Sequence, residues 1–294
     1  MYKLIAIDLD GTLLNSYGEV SIENKTSIQN AIENNIEIVI ASGRPLASTL
    51  DIAREVGANN YLISDNGAII YDGQKEEVIY NNYLIKEKVL EIVKMCEENS
   101  IYYSLYTEDT IITKSLSYNV LFYYNENKHK EEKRKTQINI VDDVYDYIQK
   151  SEKQNFSKIT ICDESQTIFG SIINKLREIK NIDVLDVGHM ARKKIINGTE
   201  STDIEYFYTE ITTENTNKWN AIKNIAEKLG IVDEEVIAIG DNVNDIEMIK
   251  NSGLGIVVDN SAPYIKENAK EVVSDNDNNG VSEVIKKYIT AMLQ

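Results

Sequence analysis

Asp8 and Asp10 stand two residues apart in Asp8-Leu9-Asp10-Gly11-Thr12, directly behind the apolar run Leu4-Ile5-Ala6-Ile7. A buried parallel strand would carry both carboxylates on one face to its C-terminal end. Ligand sites of open α/β sheets gather at that end. Gly11 permits a sharp turn and a close backbone approach to a ligand. Two carboxylates this near repel unless a cation or a proton joins them. The pentapeptide therefore suggests a divalent-metal site or an acid/base pair. Alone it also fits a strand ending in a polar Asp-Gly turn, and the rest of the chain decides between the two.

Three further groups fall at strand ends. Ser42 and Gly43 follow the β-branched run over 36–40, ahead of Arg44-Pro45. A hydroxyl and free N–H groups at a helix start form a phosphate cradle. Ser42 equally suits a helix cap, and that role does not exclude the phosphate. Lys218 lies near the start of another helix, where a solvated surface lysine is the plain alternative. Asp241 and Asp245 follow the apolar strand pattern at 235–239. Four apart around a helix start, they can point at one spot, and with Asp8 they could hold Mg²⁺, which takes hard oxygen ligands. Asp245 could also be a helix N-terminal charge, and Asn66 a turn former.

The elements that must position these groups read as strands at 3–9, 36–40 and 61–64 alternating with helices at about 21–32 and 45–56. Ser21 is the expected N-cap of the first helix, with Ile22, Ile28, Ala31 and Ile32 on one face. Residues 68–80 read as a hairpin closed by Asp72-Gly73. The alternation predicts an α/β fold with a parallel sheet flanked by helices. It resumes with a helix over 217–229, strands at 235–239 and 254–258, and helices over 243–251 and 281–293. Between them, 83–212 has another character and many tyrosines, among them Tyr102, Tyr103, Tyr106, Tyr118, Tyr123 and Tyr124. Strand patterns at 101–107, 110–114, 158–162 and 183–187 and helical ones at 87–98 and 166–180 predict an inserted α+β domain. The expected domains are 1–82 with 213–294, and 83–212. The basic stretch 128–135 reads as a solvated segment, not a binding patch.

Bulk properties narrow the function. A net charge of −17 over 294 residues repels nucleic acid backbones. No apolar run reaches the roughly 20 residues that span a bilayer, and the short run before Asp8 is no signal peptide. Cys96 and Cys162 have no metal-ligand spacing and read as buried thiols of a reducing compartment. The expectation is a cytoplasmic protein with neither nucleic acid nor membrane as partner. His129 and His189 read as exposed or structural.

In order and placement, the motifs resemble those of a haloacid dehalogenase superfamily phosphatase. The closer resemblance is to the Cof-type branch, whose large cap is inserted between the second and third motifs. Asp8-Leu9-Asp10-Gly11-Thr12-Leu13 is similar to the first motif, Ser42-Gly43-Arg44-Pro45 to the second, and Gly240-Asp241-Asn242-Val243-Asn244-Asp245 to the fourth. The Asn66-Gly67-Ala68 turn is also similar. The resemblance implies a Rossmann-like core with an inserted α+β cap. It implies Asp8 as nucleophile, forming an aspartyl-phosphate, and Asp10 as the acid that protonates the leaving alcohol and then activates water. Mg²⁺ would sit on Asp8, the Asp10 carbonyl and Asp241, with Asp245 close by. Ser42, Gly43 and Lys218 would bind the phosphoryl group, Thr12, Asn66 and Asn244 would support it, and Arg44 would reach substrate or cap.

Two departures stand out. Trp219-Asn220 follows Lys218, where a glycine commonly follows the lysine, so Lys223 competes for that role. Asp259-Asn260-Ser261-Ala262 stands where the branch tends to have Gly-Asn-Ala, which places an unexpected acid there. The function implied is Mg²⁺-dependent hydrolysis of small phosphorylated metabolites, sugar phosphates above all, with the cap excluding macromolecules. A phosphomutase of the same fold and a non-catalytic sugar-phosphate sensor are the alternatives. Retention of Asp8, Asp10, Lys218 and Asp241 argues against the sensor, and the absence of spans excludes an aspartyl-phosphate pump.

Overall fold

The structure, a computed structural model, describes residues 1–152, 155–185, 191–197 and 200–289. Its chain divides into two compact units, Met1–Asn81 with Thr216–Gln294, and Asn82–Asn215. In chain order the first unit begins with β1 (Leu4–Ile7), α1 (Ile22–Glu33), β2 (Glu37–Ala41), α2 (Leu46–Val56), β3 (Tyr61–Ser64), β4 (Ile69–Asp72) and β5 (Glu77–Asn81). The second unit holds α3 (Lys86–Glu98), β6 (Tyr102–Thr107), β7 (Thr110–Thr113), α4 (Tyr118–Asn127), β8 (Gln137–Ile140), α5 (Val144–Lys150), β9 (Phe156–Asp163), α6 (Gln166–Leu176), β10 (Ile182–Val184), β11 (Ala191–Asn197) and β12 (Glu200–Thr213). The first unit resumes with α7 (Lys218–Leu229), β13 (Val236–Gly240), α8 (Ile246–Asn251), β14 (Leu254–Val258), α9 (Pro263–Lys266), β15 (Glu271–Val273) and α10 (Gly280–Tyr288).

The first unit is built on an eight-stranded sheet ordered β15-β14-β13-β1-β2-β3-β4-β5. Strands from β15 to β3 run parallel, and β4 and β5 return antiparallel. The parallel strands are apolar on both faces because helices cover both. Ile5, Ile7, Ile237 and Ile239 pack with Ile28 and Ala31 of α1 and Val284 and Ile285 of α10. Leu4, Ala6, Val236 and Ala238 pack with Trp219, Ile222 and Ile225 of α7. The site motifs occupy the C-terminal ends of β1, β2 and β13, as this architecture requires.

Two local expectations need correction. Ile22 is 84% exposed, whereas Ile28 and Ala31 are fully buried. The inward stripe of α1 is Asn24, Ser27, Ile28 and Ala31. Asn24 accepts from the Ser282 N–H and the Ser27 hydroxyl bonds that of Ser282, so two polar residues replace Ile22 on that face. The β4–β5 connection is also longer than an Asp-Gly turn. Residues 73–76 form it, and the Asp72 carboxylate accepts the N–H groups of Gln74 and Lys75.

The second unit has a mostly antiparallel sheet ordered β10-β12-β9-β6-β7-β8, with β11 paired to β12. Helices α3, α5 and α6 pack on one face through Val89, Ile92, Val144, Ile148, Ile172 and Leu176. Helix α4 packs against Tyr106 and Ile111 through Val120 and Tyr123. Tyr103, Tyr106 and Tyr123 are therefore core residues. Strand β12 pairs with β10 as far as Thr213, which carries the inserted unit past 212. Lys128 and residues 131–134 are exposed, consistent with a solvated segment. Cys96 and Cys162 are free and buried. No helix among the described residues is long and apolar enough to cross a membrane. His189, positions 186 and 187 of the expected strand and the end of the expected last helix lie outside the described residues.

The burial difference on α1 gives a paired test. Ile28→Ala should lower stability to urea by about 2–4 kcal/mol. Ile22→Ala should change it by less than about 0.5 kcal/mol. Chemical denaturation followed by circular dichroism measures both.

Candidate active site

Strand β1 ends one residue before Asp8, whose N–H donates to the Ile239 carbonyl of β13 at 3.0 Å. Asp8 is thus fixed between two parallel strands and is only 5% exposed. Lys218 opens α7, whose N-cap is Asn217. Its ammonium is completely buried and lies 2.5 Å from Asp8 Oδ1 and 2.6 Å from Asp245 Oδ1. Lys223 is exposed, so Lys218 is the lysine at the site.

Asp245 Oδ2 accepts the N–H groups of Asp241 and Asn242, both at 3.0 Å. Both of its oxygens are therefore engaged, one on the lysine and one folding the loop after β13. The Thr12 hydroxyl donates to Asp241 Oδ1 at 3.0 Å. Two glycines make the convergence possible. Gly11 has φ +82°, and a Cβ there would stand 2.5 Å from Asp241 Oδ2. Gly67 has φ +102°, and a Cβ there would stand 2.3 Å from the Asn217 carbonyl. Side chains are strained in this backbone region, so each glycine lets one motif press against another.

Asp8, Asp241 and Asp245 offer carboxylate oxygens within 4.8 Å of one another. Among the described residues no other three-residue group does so. Burial, then repulsion from Asp245, raises the Asp8 pKa to about 7 even against Lys218. Burial and repulsion from Asp8 also hold Asp241 well above the usual carboxylate range. Burial disfavours the Lys218 ammonium, but Asp245 and Asp8 outweigh it and raise its pKa. Three ionised carboxylates and one ammonium leave two uncompensated negative charges, which one divalent cation balances. The donors are hard oxygens, so the set fits Mg²⁺.

Asp10 is placed differently. Its side chain is 59% exposed, and its carboxylate accepts from Arg44 Nε at 2.7 Å and NH2 at 2.6 Å. Arg44 is 5% exposed, and its NH1 donates to the Ser48 hydroxyl of α2. The Asp10 carboxylate is not one of the three that converge; the resemblance implies only its backbone carbonyl as a ligand. Arg44, expected on substrate or cap, has Asp10 in its guanidinium fork.

Ser42 is buried, and its hydroxyl accepts the Arg44 N–H at 3.1 Å. Accepting that bond leaves the hydroxyl its own proton to donate. Gly43 lies half-buried in the bend between them. Asn244 Nδ2 donates to Asn66 Oδ1 at 3.0 Å, so these two support each other. Asn66 and Asp65 both have positive φ, and the Asn66 N–H donates to the Ser42 carbonyl. Asp259 is neutralised at the surface by Lys266, 2.6 Å away. Sequence reasoning missed the Arg44–Asp10 pair and the Thr12–Asp241 bond, because a side chain's partner across 34 or 229 residues leaves no local signal. His129 is exposed and remote in sequence from these motifs.

A family model described as haloacid dehalogenase-like hydrolase matches residues 5–285. Phosphatase YwpJ of Bacillus subtilis is 28% identical, over 98% of this chain and 100% of its own. The 5-amino-6-(5-phospho-D-ribitylamino)uracil phosphatase YcsE of the same species is also 28% identical, over 98% of this chain and 96% of its own. A crystal structure of a haloacid dehalogenase-like hydrolase from Bacteroides thetaiotaomicron is similar with TM-score 0.78 at 27% identity, over 98% of this chain and 99% of that one.

Two expected outcomes follow from the charge balance. Adding Mg²⁺ to chelator-treated protein should raise its melting temperature, by about 2.7 kcal/mol of stabilisation at a hundredfold excess over Kd. Asp241→Asn should lose most of that rise. In metal-free protein, Asp8 has an ordinary value of 3.8 unfolded and about 7 folded. Its contribution to stability is fully present below the lower value and is lost as pH rises through the upper one. Denaturation midpoints across that window should fall less steeply for Asp8→Asn than for wild type.

Proposed function

The chain belongs to the haloacid dehalogenase-like hydrolases, and from that membership we propose that it is a Mg²⁺-dependent phosphatase of small phosphorylated metabolites, with sugar phosphates as the substrate class. The observation that carries the reading is the buried Asp8 carboxylate, held by Lys218 and grouped with Asp241 and Asp245. Relatives named phosphatases support the reaction class. The name of one places its phosphate on a ribityl chain, which supports a polyol phosphate.

In this reading Asp8 attacks phosphorus, the P–O bond to the alcohol breaks, and an aspartyl-phosphate forms. Asp10 gives a proton to the departing alkoxide oxygen. It then takes one from the water that attacks phosphorus and frees Asp8 and inorganic phosphate. Lys218 uses two of its three N–H donors on carboxylates, leaving a third for a phosphoryl oxygen. Ser42 adds its hydroxyl proton. Mg²⁺, held by Asp8, Asp241 and the Asp10 carbonyl beside Asp245, would screen Asp8 from the phosphate and offset charge that develops on it.

Phosphate release from a panel of phosphorylated metabolites, with and without Mg²⁺, tests the proposal. Asp8→Asn should fall to background while remaining folded. Asp10→Asn should slow release by about 10²- to 10⁴-fold. Full activity in Asp8→Asn would overturn the mechanism. Folded wild type that releases phosphate from no compound would overturn the function.

A further inference from the structure

The Asp10 turn is gripped by residues from the other end of the chain. The Asn260 side-chain amide donates to the Gly11 carbonyl at 2.8 Å. The Asn276 side-chain amide donates to the Leu14 carbonyl, also at 2.8 Å. These two asparagines are joined, because the Asn276 N–H donates to Asn260 Oδ1 at 3.1 Å. Leu14 is itself bridged through the backbone to Asp10 and Val20. The next residue of the C-terminal segment adds a third grip. Asp277 accepts the Ser16 N–H at 2.7 Å and the Ser16 hydroxyl at 2.5 Å. Beyond these contacts the loop is exposed over residues 16–19, with Tyr17 at 87%.

We propose that Asn260 and Asn276 form a clamp that positions Asp10 for proton transfer, by fixing the carbonyls of Gly11 and Leu14 on either side of the turn. The inference rests on the phosphatase reading above. Neither asparagine touches the carboxylates, so both are positioning residues. The bonds run side chain to main chain, so they hold the path of the turn whatever side chains it carries. Backbone hydrogen bonds within the turn come from the N–H groups of Thr12, Leu13 and Leu14, directed at Asp8 and Leu9 carbonyls. They anchor the start of the turn to β1. The clamp secures the carbonyls that follow.

Hydrogen exchange and steady-state kinetics on the full chain test this together. In Asn260→Ala and Asn276→Ala, amides over residues 9–20 should exchange faster. In the same variants kcat should fall about 10- to 100-fold, with KM and the Mg²⁺-induced melting shift close to wild type. Asn260→Asp keeps the acceptor for Asn276 but lacks the donor to Gly11, so it should behave like alanine and not like wild type. Lys287→Ala removes a surface ion pair with Glu271 from the same C-terminal region and should change neither readout. Unchanged exchange over 9–20 would overturn the clamp. Faster exchange with unchanged kcat would overturn its role in positioning Asp10. Absence of phosphate release by wild type would instead overturn the phosphatase reading, with the exchange result still deciding whether the clamp exists.

Discussion

The Lys218 ammonium, buried between Asp8 and Asp245, is the contact on which the rest of the first unit depends. Taking an ion out of water costs several kcal/mol, and only well-placed partners offset it. Three separate segments must therefore meet at one point before any of these charges is tolerable. Asn217 caps α7 and sets where Lys218 begins it. Gly67 lets the turn after β3 lie against that cap. Asp245 folds back on the N–H groups of Asp241 and Asn242, which closes the loop after β13. Removing Lys218 would leave buried carboxylates uncompensated, a loss of about 3–5 kcal/mol. The parallel sheet, apolar on both faces, is the rigid frame that holds the three segments in register.

That arrangement also accounts for an acidic protein taking an acidic substrate. A net charge of −17 opposes phosphate at long range, yet screening confines exposed charges to about 8–10 Å at moderate salt. Inside the site the balance differs. Burial, and then mutual repulsion, raises the Asp8 and Asp241 pKa values, so the ionised carboxylates there lack compensation. A divalent cation would answer the same deficit that otherwise repels the phosphoryl group. Stability without metal and affinity for metal are thus two readings of one electrostatic imbalance.

The parts legible in sequence were those whose information is local. Buried parallel strands announce themselves as apolar runs, and the polar residues that end them mark the catalytic edge. Asp8 and Asp241 could be read this way, and the helix start at Ser21 followed from cap chemistry. Ile22 was misplaced because the periodicity counts apolar residues, whereas the buried stripe of α1 contains Asn24 and Ser27. Those two are tolerated inside through Ser282, more than 250 residues away. In the inserted unit, α4 and β8 escaped because the tyrosines and asparagines of the one and the short, half-exposed run of the other lack a clear period. The Asn260–Asn276 pair had no signature beyond a departure from a familiar tripeptide.

Arg44 marks the limit of reading residue type without partner. A guanidinium fork matches a carboxylate as well as a phosphate, so its sequence position beside Ser42 left both open. In the structure the fork holds Asp10, and the two ends of that pair differ in burial. Arg44 is buried and tied to Ser48 on α2, whereas the Asp10 side chain is more than half exposed. The arginine is therefore the fixed member and the carboxylate the adjustable one. Both oxygens of the carboxylate face guanidinium hydrogens, and a proton can pass to an alcohol or from a water only through an oxygen turned toward it. In the proposed mechanism, where it serves both steps, the side chain would accordingly change partners during a turnover. Such a change is useful only if the backbone beneath it stays still, since a turn that moved with its side chain would lose the alignment with Asp8. Holding the side chain from α2 and the main chain from the C-terminal segment separates those two requirements.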